Sequence, residues 1–105
     1  MRDAEGATLL ARTLPRVSAY VARVVGTLRE AIAVDAMTED ALARELHSMK
    51  GLVASVGAAE AARAASRVEH ALRTRAPAHE VRARLDAFVH AYDVAERALV
   101  VIGRD

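Results

Sequence analysis

The stretch Thr38 to Gly57, TEDALARELHSMKGLVASVG, decides the fold, because it reads as one amphipathic helix carrying a reactive side chain away from its apolar seam. Leu42, Leu46, Met49, Val53 and Val56 follow at intervals of four, three, four and three residues, which keeps them on one stripe of a 3.6-residue helix. At about 100° per residue, His47 points roughly 140° from the centre of that stripe, and Lys50 follows one turn later on the same flank. The imidazole is therefore expected in solvent. Ala43, Gly51 and Ala54 surround it on that side, so a partner's backbone is expected to approach without meeting bulk.

The ends of this helix are also specified. Thr38 suits an N-cap, Glu39 and Asp40 place negative charge in the first turn, and Met37 is positioned to staple onto Leu42. Gly57 can adopt the left-handed conformation that closes a helix, which predicts an antiparallel helical hairpin with the next segment.

Outward from this stretch the same periodicity recurs. Residues from about Ala4 to Thr13 read as a short leading helix contacting through Leu10 and Leu14, with a break at Pro15. A helix from Pro15 to about Ala33 then buries Val17, Val21, Val24, Leu28 and Ile32, and Val34 to Met37 form a connection. After Gly57, Ala58 to Arg73 form a slim helix with Ala61, Ala62, Ala65, Val68 and Leu72 inward. Thr74 to Ala76 make a loop. The last helix starts at Pro77 and carries Val81, Leu85, Phe88, Tyr92, Ala95, Leu99 and Ile102 in four-three alternation until Gly103 ends it. The expected fold is all-α, an antiparallel up-down-up-down four-helix bundle preceded by a short N-terminal helix, with residues 1–105 as one domain.

Composition narrows the function. At 105 residues the chain has room for one core but not for an added nucleotide-binding module, so it is not a complete kinase. Apolar residues make up 53% of it, yet 25 residues are alanine and only three are aromatic, which favours closely packed helices. There is no cysteine, and no stretch resembles a signal peptide or a membrane span, so a cytoplasmic location without membrane insertion is expected. The 15 basic and 14 acidic residues are interspersed, which argues against nucleic acid as a partner. Every basic residue but one is arginine. The exception is Lys50, three residues after His47. That choice points to a compact, mobile ammonium at this position rather than a planar guanidinium.

His47, Lys50, Gly51 and Gly57, in the order His-x-x-Lys-Gly-x-x-x-x-x-Gly, resemble the motif of histidine phosphotransfer domains, the four-helix modules of bacterial phosphorelays. The resemblance extends to Ala58 and to Val68-Glu69-His70-Ala71-Leu72-Arg73 on the following helix, and the helical layout agrees over most of the chain. Leu52 and Val53 stand where the family more often has small residues, and Ala61 where it usually carries leucine. The resemblance implies that His47 accepts and donates a phosphoryl group, that response-regulator receiver domains and a hybrid sensor kinase are the partners, and that the protein has no cofactor of its own. The magnesium is then expected on the receiver. No nucleotide-binding motif is present, so autokinase activity is not expected and the protein reads as a monomeric relay intermediate rather than an enzyme.

The chemistry agrees with these residue types. A neutral imidazole is a nucleophile near neutral pH and forms a labile phosphoramidate, and phosphoryl transfer depends mainly on positioning and charge stabilisation. Lys50 is placed to neutralise phosphate oxygens, Gly51 to leave room for the partner, and Arg44 to tune which partner is accepted. Across the hairpin, Ser66, Arg67, Glu69 and His70 return to the level of His47. Glu69 is placed either to orient the imidazole, as in family members attached to chemotaxis kinases, or to pair with Arg73 at i,i+4. His70, His79 and His90 lack any such surroundings and read as surface residues. No histidine follows a glutamate by three residues, so a carboxylate-bridged metal site is not expected. The competing reading is a helical interaction module that binds receivers without phosphotransfer.

Overall fold

The apolar stripe of the first helix runs without a phase change from Leu10 through Leu14, Val17, Val21 and Val24, and the structure follows it. In the computed structural model, which describes residues 4–34 and 39–104, α1 spans Ala4–Ala33, α2 Glu39–Ser55, α3 Ala59–Arg73 and α4 Ala78–Arg104. The separate leading helix expected before Pro15 is not separate: Pro15 lies inside α1. Proline removes one N–H and crowds the preceding turn, which normally breaks a helix. Here Leu14 is buried just before it and Val17 just after, so packing on one continuous seam holds both sides of Pro15 in register. Gly103 likewise does not terminate α4, which continues to Arg104, within the one or two residues by which helix ends fray. The Thr38 cap and the Met37 staple lie outside the described residues.

Each helix packs on its chain neighbours and α4 closes on α1, whereas the diagonal pairs α1 with α3 and α2 with α4 make no backbone contact among the described residues. This is the adjacency of an up-down-up-down ring. Two polar links fix α1 antiparallel to α4: Ser18 Oγ lies 2.8 Å from the Tyr92 hydroxyl, and Arg29 Nη1 3.0 Å from Asp86 Oδ1. Tyr20 donates to Glu45 Oε1 at 3.1 Å and ties α1 to α2.

Phe88, Leu28, Leu46, Met49, Leu72 and Leu85 are the largest fully buried side chains, so every helix contributes to one core. Alanines 61, 64, 65 and 71 of α3 are buried as well, which lets that helix sit close to both neighbours. The bundle is asymmetric. At about 1.5 Å per residue the 30 residues of α1 account for the 46 Å long axis, whereas α2 and α3, with 17 and 15 residues, reach little more than half as far. Beyond the tip of the α2–α3 hairpin, α1 and α4 pack only on each other, which is why Ala95, Leu99 and Ile102 are half-buried rather than enclosed. Among the described residues no helix is long and apolar enough to cross a membrane.

Candidate functional site

The rotation of α2 about its axis is set by Leu42, Leu46, Met49 and Val53, all buried. That seam leaves the His47 side chain 67% exposed, as its angular position predicts. The hairpin that brings α3 alongside closes at Gly57, whose φ of +90° lies in the left-handed region. Gly57 N–H donates to the Ala54 carbonyl and Ala58 N–H to the Val53 carbonyl, at 3.0 and 3.2 Å, the paired bonds of a Schellman motif. A second such turn ends α3, where Ala76 N–H reaches the Ala71 carbonyl, with Arg75 at φ 57° in the place that glycine holds in the first.

Across the hairpin Glu69 meets His47. Its Oε2 lies 3.4 Å from His47 Nδ1, and its Oε1 lies 3.5 Å from Lys50 Nζ. The same Oε2 accepts from Arg73 Nε at 3.1 Å and faces Arg73 Nη2 at 3.0 Å. Glu69 is the only buried charged side chain among the described residues, and three cationic or ionisable groups converge on it. Burial by itself would raise its pKa. The Arg73 hydrogen bond and the charges of Lys50 and His47 outweigh that and hold the carboxyl below the usual glutamate range. Glu69 therefore stands beside the imidazole and pairs with Arg73 at i,i+4 at the same time.

Lys50 is half-buried and turned to Glu69 rather than standing free in solvent. Gly51 and Ala54 are exposed, and a Cβ at Gly51 would meet nothing within 4 Å, so this glycine is not there to admit a neighbouring helix. Arg44 is exposed and Leu52 is 42% exposed beside them. Ala43 departs from expectation: it is fully buried and is no part of an open approach surface. The reason is rotational. Ala43 lies seven residues, nearly two whole turns, before Lys50, so it shares the face on which Lys50 reaches α3. Of the other residues expected opposite His47, Ser66, Arg67 and His70 line a groove of about 310 Å³ with Glu80 and Arg84, on the side of α3 that meets α4. His79 and His90 are exposed.

The sharing of Oε2 between His47 and Arg73 was not readable from the sequence, although the four-residue spacing of Glu69 and Arg73 was its one visible sign. An exposed imidazole, a buried carboxylate at one of its nitrogens and an ammonium one turn away form a site suited to a reaction at Nε2, the nitrogen Glu69 does not engage.

The family described as the Hpt domain matches residues 17–98. The chain is a member of the Hpt domain family. The matched span contains all four helices in part or whole and every residue of the Glu69 cluster. No curated protein and no solved structure gave a significant match. Hpt domains act in histidine phosphotransfer within two-component phosphorelays, as intermediates that carry a phosphoryl group on histidine. Such an exchange requires a histidine on an exposed helix face, because two protein surfaces must meet at that side chain.

Proposed function

We propose that His47 is the phosphoryl-carrying residue of this Hpt domain and that it exchanges the group with aspartates of receiver domains, or receives it from a sensor kinase. The observation that carries this reading is the approach of Glu69 Oε2 to Nδ1 of an otherwise exposed imidazole. A carboxylate at Nδ1 favours the tautomer with its proton there and leaves the Nε2 lone pair free. In the forward step Nε2 attacks the phosphorus of a receiver's aspartyl phosphate. A P–N bond forms, the P–O bond to the aspartate breaks, and the carboxylate departs with the electron pair. The proton stays on Nδ1, and Glu69 offsets the positive charge that develops on the ring. Transfer onward is the reverse, with the imidazole as leaving group.

Lys50 supports the same step by neutralising phosphate oxygens, for which its ammonium must exchange part of its contact with Glu69. Gly51, Ala54, Leu52 and Arg44 form the surface beside His47 on which the receiver docks, the first two by their small size, Leu52 by apolar contact and Arg44 by charge. The receiver's own magnesium supplies further charge neutralisation. The chain works as a cytoplasmic monomer without a resident cofactor.

Incubating the purified protein with a panel of phosphorylated receiver domains tests this. The expected result is an acid-labile, base-stable phosphoryl group on the wild type that is absent from His47→Gln. Receivers that bind but never transfer would instead make the protein an interaction module.

A further inference from the structure

We infer that Arg73 is a positioning residue that competes with His47 for Glu69 and so limits how firmly the imidazole is held; this rests on the reading of His47 as the phosphoryl carrier. The observation is an uneven division of one carboxylate. Among the described residues Oε1 accepts from Lys50 Nζ, at 3.5 Å. Oε2 has three nitrogens around it, Arg73 Nη2 at 3.0 Å, Arg73 Nε at 3.1 Å and His47 Nδ1 at 3.4 Å. Of the three, Arg73 Nε makes a hydrogen bond to Oε2, while Arg73 Nη2 and His47 Nδ1 stand at ion-pair distance, so the guanidinium already holds the oxygen that the imidazole approaches. Arg73 takes the short contacts and His47 is left at a distance where a hydrogen bond has weakened.

Arg73 is placed to do this by local structure alone. It stands one turn after Glu69 on α3, in the acid-before-base order that favours i,i+4 pairing, and its Nε donates to Oε2 while Nη2 lies at ion-pair distance from the same oxygen. Glu69 is buried, so it cannot turn to solvent to serve both claimants, whereas Arg73 is half exposed and can leave. Among the described residues the charged groups joined to His47 through ion pairs are Lys50 on its own helix and Glu69 and Arg73 on α3, with Arg44 three residues before it on α2; of these Arg73 shares the oxygen nearest the imidazole. Removing the guanidinium hands Oε2 to the imidazole. The Nδ1–H tautomer, in which Nε2 is the nucleophile, then gains population.

The test uses the ¹⁵N resonances of the His47 ring in the whole protein, followed through a pH titration, for wild type, Arg73→Gln and Arg73→Lys. Arg73→Gln is expected to move the ring toward the Nδ1–H tautomer. Arg73→Lys, which keeps the charge but loses the paired donors, is expected to fall between the two. The tautomer shift is measured again in Glu69→Gln, where Arg73→Gln is expected to produce none. Overturning results are an unchanged tautomer ratio in Arg73→Gln, a shift toward Nε2–H, or the same shift in the Glu69→Gln background. None of these readouts needs a partner. Failure of the phosphotransfer reading would appear elsewhere, as a wild type that no receiver phosphorylates.

Discussion

Nδ1 of His47 and Oε2 of Glu69 lie 3.4 Å apart across the α2–α3 hairpin, one side chain largely exposed and the other nearly enclosed. A buried carboxylate is rare unless paired, and here the pairing partners come from both helices. Glu69→Gln is expected to slow phosphotransfer roughly tenfold, as losing about 1.4 kcal/mol of charge stabilisation on the ring in the transition state would. Single-turnover transfer to a receiver measures this directly. Rates equal to wild type would leave Glu69 a structural residue only.

The same carboxylate should leave a mark on acid stability. Its pKa in the folded protein is lowered from about 4.5, so the folded state binds this proton more weakly than the unfolded chain does. The resulting stability is present above that ordinary value and is lost as pH falls through the lower, folded one. Urea melts of wild type and Glu69→Gln should therefore differ near neutral pH, with the advantage of the wild type shrinking progressively below about pH 4.5. A constant difference across that window would show that the ion pairs contribute nothing.

His47→Gln should abolish transfer and leave helicity and melting unchanged. The apolar seam of α2 does not use this side chain, and its imidazole is 67% exposed. Circular dichroism together with the receiver assay separates the two effects. Loss of helicity, or retained phosphorylation, would contradict the assignment.

Most of the bundle was legible because its information is periodic. The stripes Val17 to Ile32, Leu42 to Val53 and Val81 to Tyr92 are buried as their spacing requires. The break at Pro15 was misread for a reason that is itself periodic: a single residue's backbone preference gave way to a seam that continued in phase on both sides of it. At the site, the angle of His47 was readable from α2 alone. The burial of Ala43 and the anchoring of Lys50 were not, since both depend on how closely α3 comes against that flank. The alanines of α3 permit that approach, but no count of residues along one helix gives its distance.

Lys50→Ala should slow transfer with a stability loss of about 1 kcal/mol or less, the scale of a half-exposed ion pair, and Lys50→Arg should restore it only in part. The ammonium must serve Glu69 at rest and phosphate oxygens during transfer, and a lone charge on a flexible stem can swing between them. A planar guanidinium would lock onto the carboxylate. Equal transfer rates for all three proteins would make Lys50 a bystander.

The surface beside His47 can be tested without touching the cluster. Gly51 is exposed one turn after His47, and a side chain there would meet nothing in the isolated domain. Gly51→Gln should therefore fold normally, and replacing glycine within a helix should raise stability by about 0.5–1 kcal/mol. A docked receiver is a different matter. Its aspartate must come within transfer distance of His47, where a misplacement of about 1 Å can cost a hundredfold in rate, and a glutamine on the approach forces a larger one. Binding and phosphotransfer should both fall sharply while the melting temperature rises slightly. These outcomes have opposite signs, so general damage to the fold cannot imitate them. If the variant binds and transfers as wild type does, the receiver does not dock across Gly51, and the docking face must be sought on the opposite side of His47.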